Sequence, residues 1–137
     1  MIKQTCRIVS GIFLSALLFI SGCDMQMTGE AGFLEGTISI EPLCPVETDP
    51  PDPGCLPTAD TYNAYPVSVW TANGRIKIAQ IHPALDGSYS TELSPGNYLV
   101  ILDKNQNGVG SSNLPVEVLI NSLDKTVLNI DIDTGIR

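Results

Sequence analysis

Residues 86–100 read Asp86-Gly87-Ser88-Tyr89-Ser90-Thr91-Glu92-Leu93-Ser94-Pro95-Gly96-Asn97-Tyr98-Leu99-Val100. Asp86-Gly87 and Pro95-Gly96 are turn signals, because glycine reaches positive φ without steric cost and proline presets the first position of a turn. Between them lies a short alternating run, and a second strand-like run begins at Tyr98. The pattern predicts a hairpin. Tight turns at this spacing among Val, Ile and Tyr predict a sandwich of short antiparallel strands rather than helices.

On the N-terminal side, residues 65–71 and 75–81 are strand-like runs joined across Ala72-Asn73-Gly74, and Asn-Gly is a strong hairpin cue. Val67 and Val69 are expected to face inward, with Ser68 and Trp70 outward. Ile76 and Ile78 share a phase that Ile81 breaks, which suggests a bulge near His82-Pro83. Residues 33–41 alternate, placing Leu34, Gly36, Ile38 and Ile40 on one face. On the C-terminal side, a strand is expected at 98–103. Residues 114–121 and 126–133 then form a last pair, Val116, Val118 and Ile120 facing Leu128, Ile130 and Ile132. The expected fold is all-β, a seven-stranded antiparallel Greek-key β-sandwich occupying residues 33–137.

The stretch at 86–100 resembles the D-G-x-Y/F … L-x-P-G-x-Y-x-V signature of carboxypeptidase regulatory-like domains. That resemblance implies a β-sandwich of the transthyretin (prealbumin) type and an accessory, non-catalytic role. Enzymes of related prealbumin-like folds hold iron with paired histidines and tyrosines or end in a particular tetrapeptide, and this chain departs from both. Domains resembling the collagen-adhesin B type join a strand-one lysine to a last-strand asparagine, and residues 33–41 contain no lysine.

The N-terminus carries its own address. Lys3 and Arg7 precede an apolar run from Ile8 to Ile20, too short to span a bilayer and followed by small residues, as in a secretory signal. Ile20-Ser21-Gly22-Cys23 resembles the bacterial lipobox. The resemblance implies cleavage after residue 22, a thioether-linked diacylglycerol on Cys23, and retention at a membrane of the cell envelope, since two acyl chains hold where one lets go. Asp24 resembles an inner-membrane retention mark of enterobacterial lipoproteins. Residues 23–32 are polar or small without periodicity and read as a flexible tether.

The full chain has a formal charge of −8, and removal of Lys3 and Arg7 with no acid takes it to −10. Such a field disfavours nucleic acid and anionic lipid as ligands. Six prolines between Pro42 and Pro57 argue against helix or central strand over residues 42–63. Cys44 and Cys55 bracket this region, and with Cys6 in the signal and Cys23 lipidated they are expected to form a disulfide closing a loop.

Chemistry is sparse. His82 is the single histidine and precedes a proline, so neither a hydrolytic base nor a zinc site is favoured, and no cofactor is expected. Asp103-Lys104-Asn105-Gln106-Asn107-Gly108 opens like a calcium loop, making Asp103, Asn105 and Asn107 weak metal candidates. The twelfth position is Leu114 instead of the bidentate glutamate, and Asn107-Gly108 alone accounts for a turn. Tyr62, Tyr65 and Trp70 could form a sugar-stacking platform; the plainer reading has Trp70 covering a sheet face. The leading expectation is a non-enzymatic, lipid-anchored structural or partner-binding module meeting a protein or glycan. The alternatives are a calcium-stabilised or carbohydrate-binding adhesion module and, lower still, a small hydrolase. Finally, parallel first and last strands would bring Glu41 beside Asp133. Arg137 is then expected to pair with Glu41, Glu47 or Asp133, and Ile136 to tuck beneath the disulfide loop.

Overall fold

The computed structural model describes residues 29–46, 48–103 and 108–137. The signal at 1–22, Cys23 and most of the tether lie outside these, as do Glu47, Asn105 and Asn107. Nine strands are formed among the described residues: β1 Gly32–Glu41, β2 Val67–Thr71, β3 Lys77–Gln80, β4 Ser88–Leu93, β5 Gly96–Leu102, β6 Gly110–Ser111, β7 Val116–Ile120, β8 Lys125–Val127 and β9 Ile130–Asp133. They make two sheets. One has the order β4-β1-β9-β6, with β8 also against β1, and the other the order β3-β2-β5-β7. Leu34, Ile38, Ile40, Ile130 and Ile132 of the first sheet and Val67, Val69, Val100 and Ile120 of the second are buried together in the core. Burying one such aliphatic side chain contributes about 1.5–3 kcal/mol, so alternation along the strands sets which face turns inward.

β1 is the hub, antiparallel to β4 and parallel to both β8 and β9. Phe33 lies opposite Lys125 and Ile38 opposite Ile130, one constant offset, so β8 and β9 are a single strand interrupted at Leu128-Asn129. The interruption has a cause on each side. The Asn129 Oδ1 accepts from the Thr37 N–H at 3.1 Å, so a side chain stands in for backbone. The buried Tyr89 hydroxyl donates to the Leu128 carbonyl at 2.6 Å, and burial pushes that phenol up to about 12. The split, together with the two-residue β6, turns the expected seven strands into nine.

Pairing differs from expectation in two places. β4 and β5 do not form a hairpin: β4 belongs to the sheet of β1 and β5 to that of β2, so Pro95-Gly96 carries the chain across the sandwich. The Tyr98 hydroxyl fastens this crossing by donating to the Ser94 carbonyl at 2.7 Å. Nor are the last two predicted strands hydrogen-bonded partners, because β7 joins β5 while β8 and β9 join β1, each burying its apolar face from its own side. The Asn73-Gly74 hairpin between β2 and β3 forms as expected, with Gly74 at φ 67°. Its bulge lies earlier than His82-Pro83: Val69 faces Ala79 and Trp70 faces Lys77, leaving Ile78 as the extra residue that resets the phase before buried Ile81.

The proline-rich region holds a helix that proline density argued against. Pro57 and Pro66 leave a proline-free window in which α1, Ala59–Ala64, fits. Thr58 and Thr61 cap it reciprocally, each side chain accepting the other's backbone N–H. Pro53–Cys55 forms one 3-10 turn, and Cys44 is bonded to Cys55.

Two outcomes follow from this frame. A Cβ at Gly36, where φ is 158°, would fall on the Leu128 carbonyl oxygen, so Gly36→Ala should cost about 1–3 kcal/mol, measured by denaturant unfolding. Cys44→Ser should remove about 2–3 kcal/mol by the chain-entropy estimate yet leave the strand signature of the circular dichroism spectrum intact, because the eleven-residue separation closes a local loop.

Candidate functional site

A hollow of about 610 Å³ lies between the far half of β1 and the disulfide loop. Its floor includes Ile38, Ile40 and Glu41, and its roof Leu43, Val46 and Leu56. The disulfide holds the two arms of that roof together, with Cys44 and Cys55 both in the wall. Val46 and Leu56 remain 73% and 51% exposed, an uncommon cost for two aliphatic side chains brought together on a braced loop. Glu41, Asp52 and Asp86 supply carboxylates, and no lysine or arginine lines the cleft among the described residues. Hydrogen bonds from the Ser88 hydroxyl and N–H hold the Asp86 carboxyl below its ordinary range, so it is charged at neutral pH.

Tyr62, on α1, forms part of the wall. It is buried, its hydroxyl donating to the Leu85 carbonyl at 3.4 Å; desolvation and then the Asp86 charge raise its pKa. Tyr65 is half-buried against the core, and Trp70 is half-buried on β2. These three side chains therefore present no shared exposed stacking face, since Tyr62 is consumed by the core.

Ser68 is a further correction: expected outside, it is fully buried. Its hydroxyl donates to the Asp103 carboxylate, which also takes Lys77 at 2.9 Å. Burial pushes the Asp103 carboxyl up, but Ser68, Lys77 and the nearby Trp70 indole N–H outweigh it and hold the acid below its ordinary range. The Trp70 N–H itself meets no acceptor at hydrogen-bonding geometry among the described residues. Asp103, first position of the candidate calcium loop, thus already carries a cation on its Oδ2. Asn105 and Asn107 lie outside the described residues, as does Cys23. His82 is exposed at the end of β3 beside a hollow of about 240 Å³ that no serine or cysteine lines among the described residues.

At the tail, Glu41 and Asp133 are register partners as expected, and Arg137 pairs with Asp133 at 2.9 Å. The Arg137 guanidinium, with the Gly135 N–H, lowers the Asp133 carboxyl to about 2. Ile136 is half-buried, and the contact that ties the tail to the loop is made by Thr134, whose hydroxyl donates to the Pro42 carbonyl and whose N–H donates to Glu41 at 3.0 Å. Sequence reading missed Thr134 because a lone threonine after a strand carries no periodic signal.

No protein-family model and no curated protein sequence matches the chain. Among solved structures, it is similar to the minor pilin GBS52 of Streptococcus agalactiae, at 16% identity and a TM-score of 0.51 over 77% of this chain and 45% of that one. It also matches the Bacillus anthracis TIE protein (13% identity, TM-score 0.46, 76% of this chain and 16% of that one). A third match is a DUF3823 family protein from Parabacteroides merdae (18% identity, TM-score 0.43, 76% and 46%). The chain spans less than half the length of each of these. At such identity the likeness to the minor pilin concerns the fold alone, and it places this chain among β-sandwich domains.

Proposed function

We propose that the chain is a lipid-anchored, non-catalytic module of a bacterial cell envelope, a β-sandwich held at a membrane through Cys23 that meets a protein partner. The observation that carries this reading is the lipobox Ile20-Ser21-Gly22-Cys23, placed so that the acylated cysteine stands nine residues before the start of β1. Nine residues can span at most about 30 Å, a reach sufficient to hold the sandwich clear of lipid headgroups. A disulfide in the domain fits an oxidising compartment outside the cytoplasm. The strong negative charge suits a body kept off anionic lipid rather than lying on it. A glycan partner finds less support than a protein one, because Tyr62 is buried in the core instead of exposed for stacking.

The anchor is tested by expressing the full chain and its Cys23→Ser variant in a bacterial host with an alkyne analogue of palmitate. The wild type should take up label and sediment with membranes, and the variant should remain unlabelled. Unlabelled wild-type protein in the soluble fraction would refute the lipoprotein reading.

A further inference from the structure

The edge of β1 that faces β4 changes character partway along. Pairing with β4 runs as far as Thr37 opposite Ser88, and one more bond follows, from the Ile38 N–H to the Gly87 carbonyl at 2.8 Å. There the ladder stops, because Gly87 donates its own N–H to Ala84 and the chain turns away. Backbone groups of successive residues in a strand point to alternate edges. The Glu41 carbonyl accepts from Thr134 on the β9 side, so Ile40 presents its N–H and carbonyl to the opposite edge, where β4 has ended. The register with β4 ends at Thr37, and no loop backbone among the described residues bonds to either group.

This open edge lies in the cleft beneath the disulfide loop, whose lining includes residues 37–41 of β1. The opposite wall supplies Leu43, Val46 and Leu56, and Glu41, Asp52 and Asp86 supply negative charge with no lysine or arginine beside them among the described lining residues. Each feature narrows the occupant. A free backbone donor and acceptor suit another extended backbone, the apolar roof suits aliphatic side chains, and the unpaired acids suit a cation. A small amine would leave the Ile40 groups unused, and a neutral apolar ligand would leave the carboxylates uncompensated.

We propose that this cleft receives an extended segment of a partner protein, which continues the β4 position past Gly87 by pairing with Ile40, seats aliphatic side chains under the disulfide loop and directs a Lys or Arg toward Asp86 and Glu41. The proposal deepens the reading of a partner-binding module and is independent of the anchor: label on Cys23 and binding in the cleft succeed or fail separately.

The test uses the full chain, isotopically labelled, and short synthetic peptides of alternating Val and Lys. Titration should shift the backbone amide resonances of residues 38–41 and slow hydrogen exchange at Ile40. A peptide of alternating Val and Glu should bind at least about tenfold more weakly, as should the Val-Lys peptide N-methylated along one edge, which keeps the charge but blocks the ladder. Glu41→Gln and Asp86→Asn should each weaken the Val-Lys peptide, with the N-methylated peptide serving as the arm that needs no change to the protein. Equal affinity for the unmodified and N-methylated peptides, equal affinity for the Val-Glu peptide, or shifts confined to residues outside the cleft would each overturn the proposal.

Discussion

The parallel pairing of β1 with the interrupted strand β8/β9 is the constraint on which the remaining structure rests. A parallel neighbour cannot be reached by a tight turn, so the chain between them must leave the sheet and return. Here it does so by building the opposite sheet, β2, β3, β5 and β7, and dropping β4 back beside β1 on the way. Because β1 is paired along both edges over most of its length, its inward residues Leu34, Ile38 and Ile40 are fixed at the centre of the core. Gly36 marks the point of closest approach, where any side chain would strike the Leu128 backbone.

The same pairing creates an electrostatic difficulty at its end. Parallel strands in register place Glu41 beside Asp133, two carboxylates on adjacent strands of an already acidic domain. Arg137 neutralises one of them, and Thr134 spans the gap to Pro42. The ion pair is exposed, where such pairs contribute about 0–1 kcal/mol, whereas Thr134 is buried, so the tail is placed more by its hydrogen bonds to β1 and the loop than by charge. Glu41 has no ion-pair partner among the described residues, which leaves its charge lining the cleft.

Strand positions are legible in the sequence because alternation is a local property that burial enforces residue by residue, as the faces of β1 and the inward valines of β2 show. Partners were less legible. Pro95-Gly96 uses the same turn chemistry whether the next strand folds back alongside or crosses to the other sheet, and only long-range packing decides. Ser68 was read as outward from alternation, yet Asp103, thirty-five residues away, covers it. α1 was hidden by counting prolines over the region instead of noting the window between Pro57 and Pro66. The disulfide is legible by elimination among four cysteines, whereas the cleft is not, since Asp86 and Glu41 come to line one hollow only through the placing of β4 beside β1.

β1 also has a mechanical meaning. Its first residue, Gly32, follows the segment that leads from Cys23, and its last, Glu41, opens onto the cleft, so the strand spans ten residues or about 33 Å between the two. Under the proposed anchor and ligand, a pull between the N-terminus and Ile40 would run along the strand axis. Such a load would pass through the covalent backbone of β1, so the bonds to β4, β8 and β9 brace the strand from the sides and only the bonds between Ile40 and the ligand would bear the pull. The disulfide braces the roof of the cleft at that end of the strand.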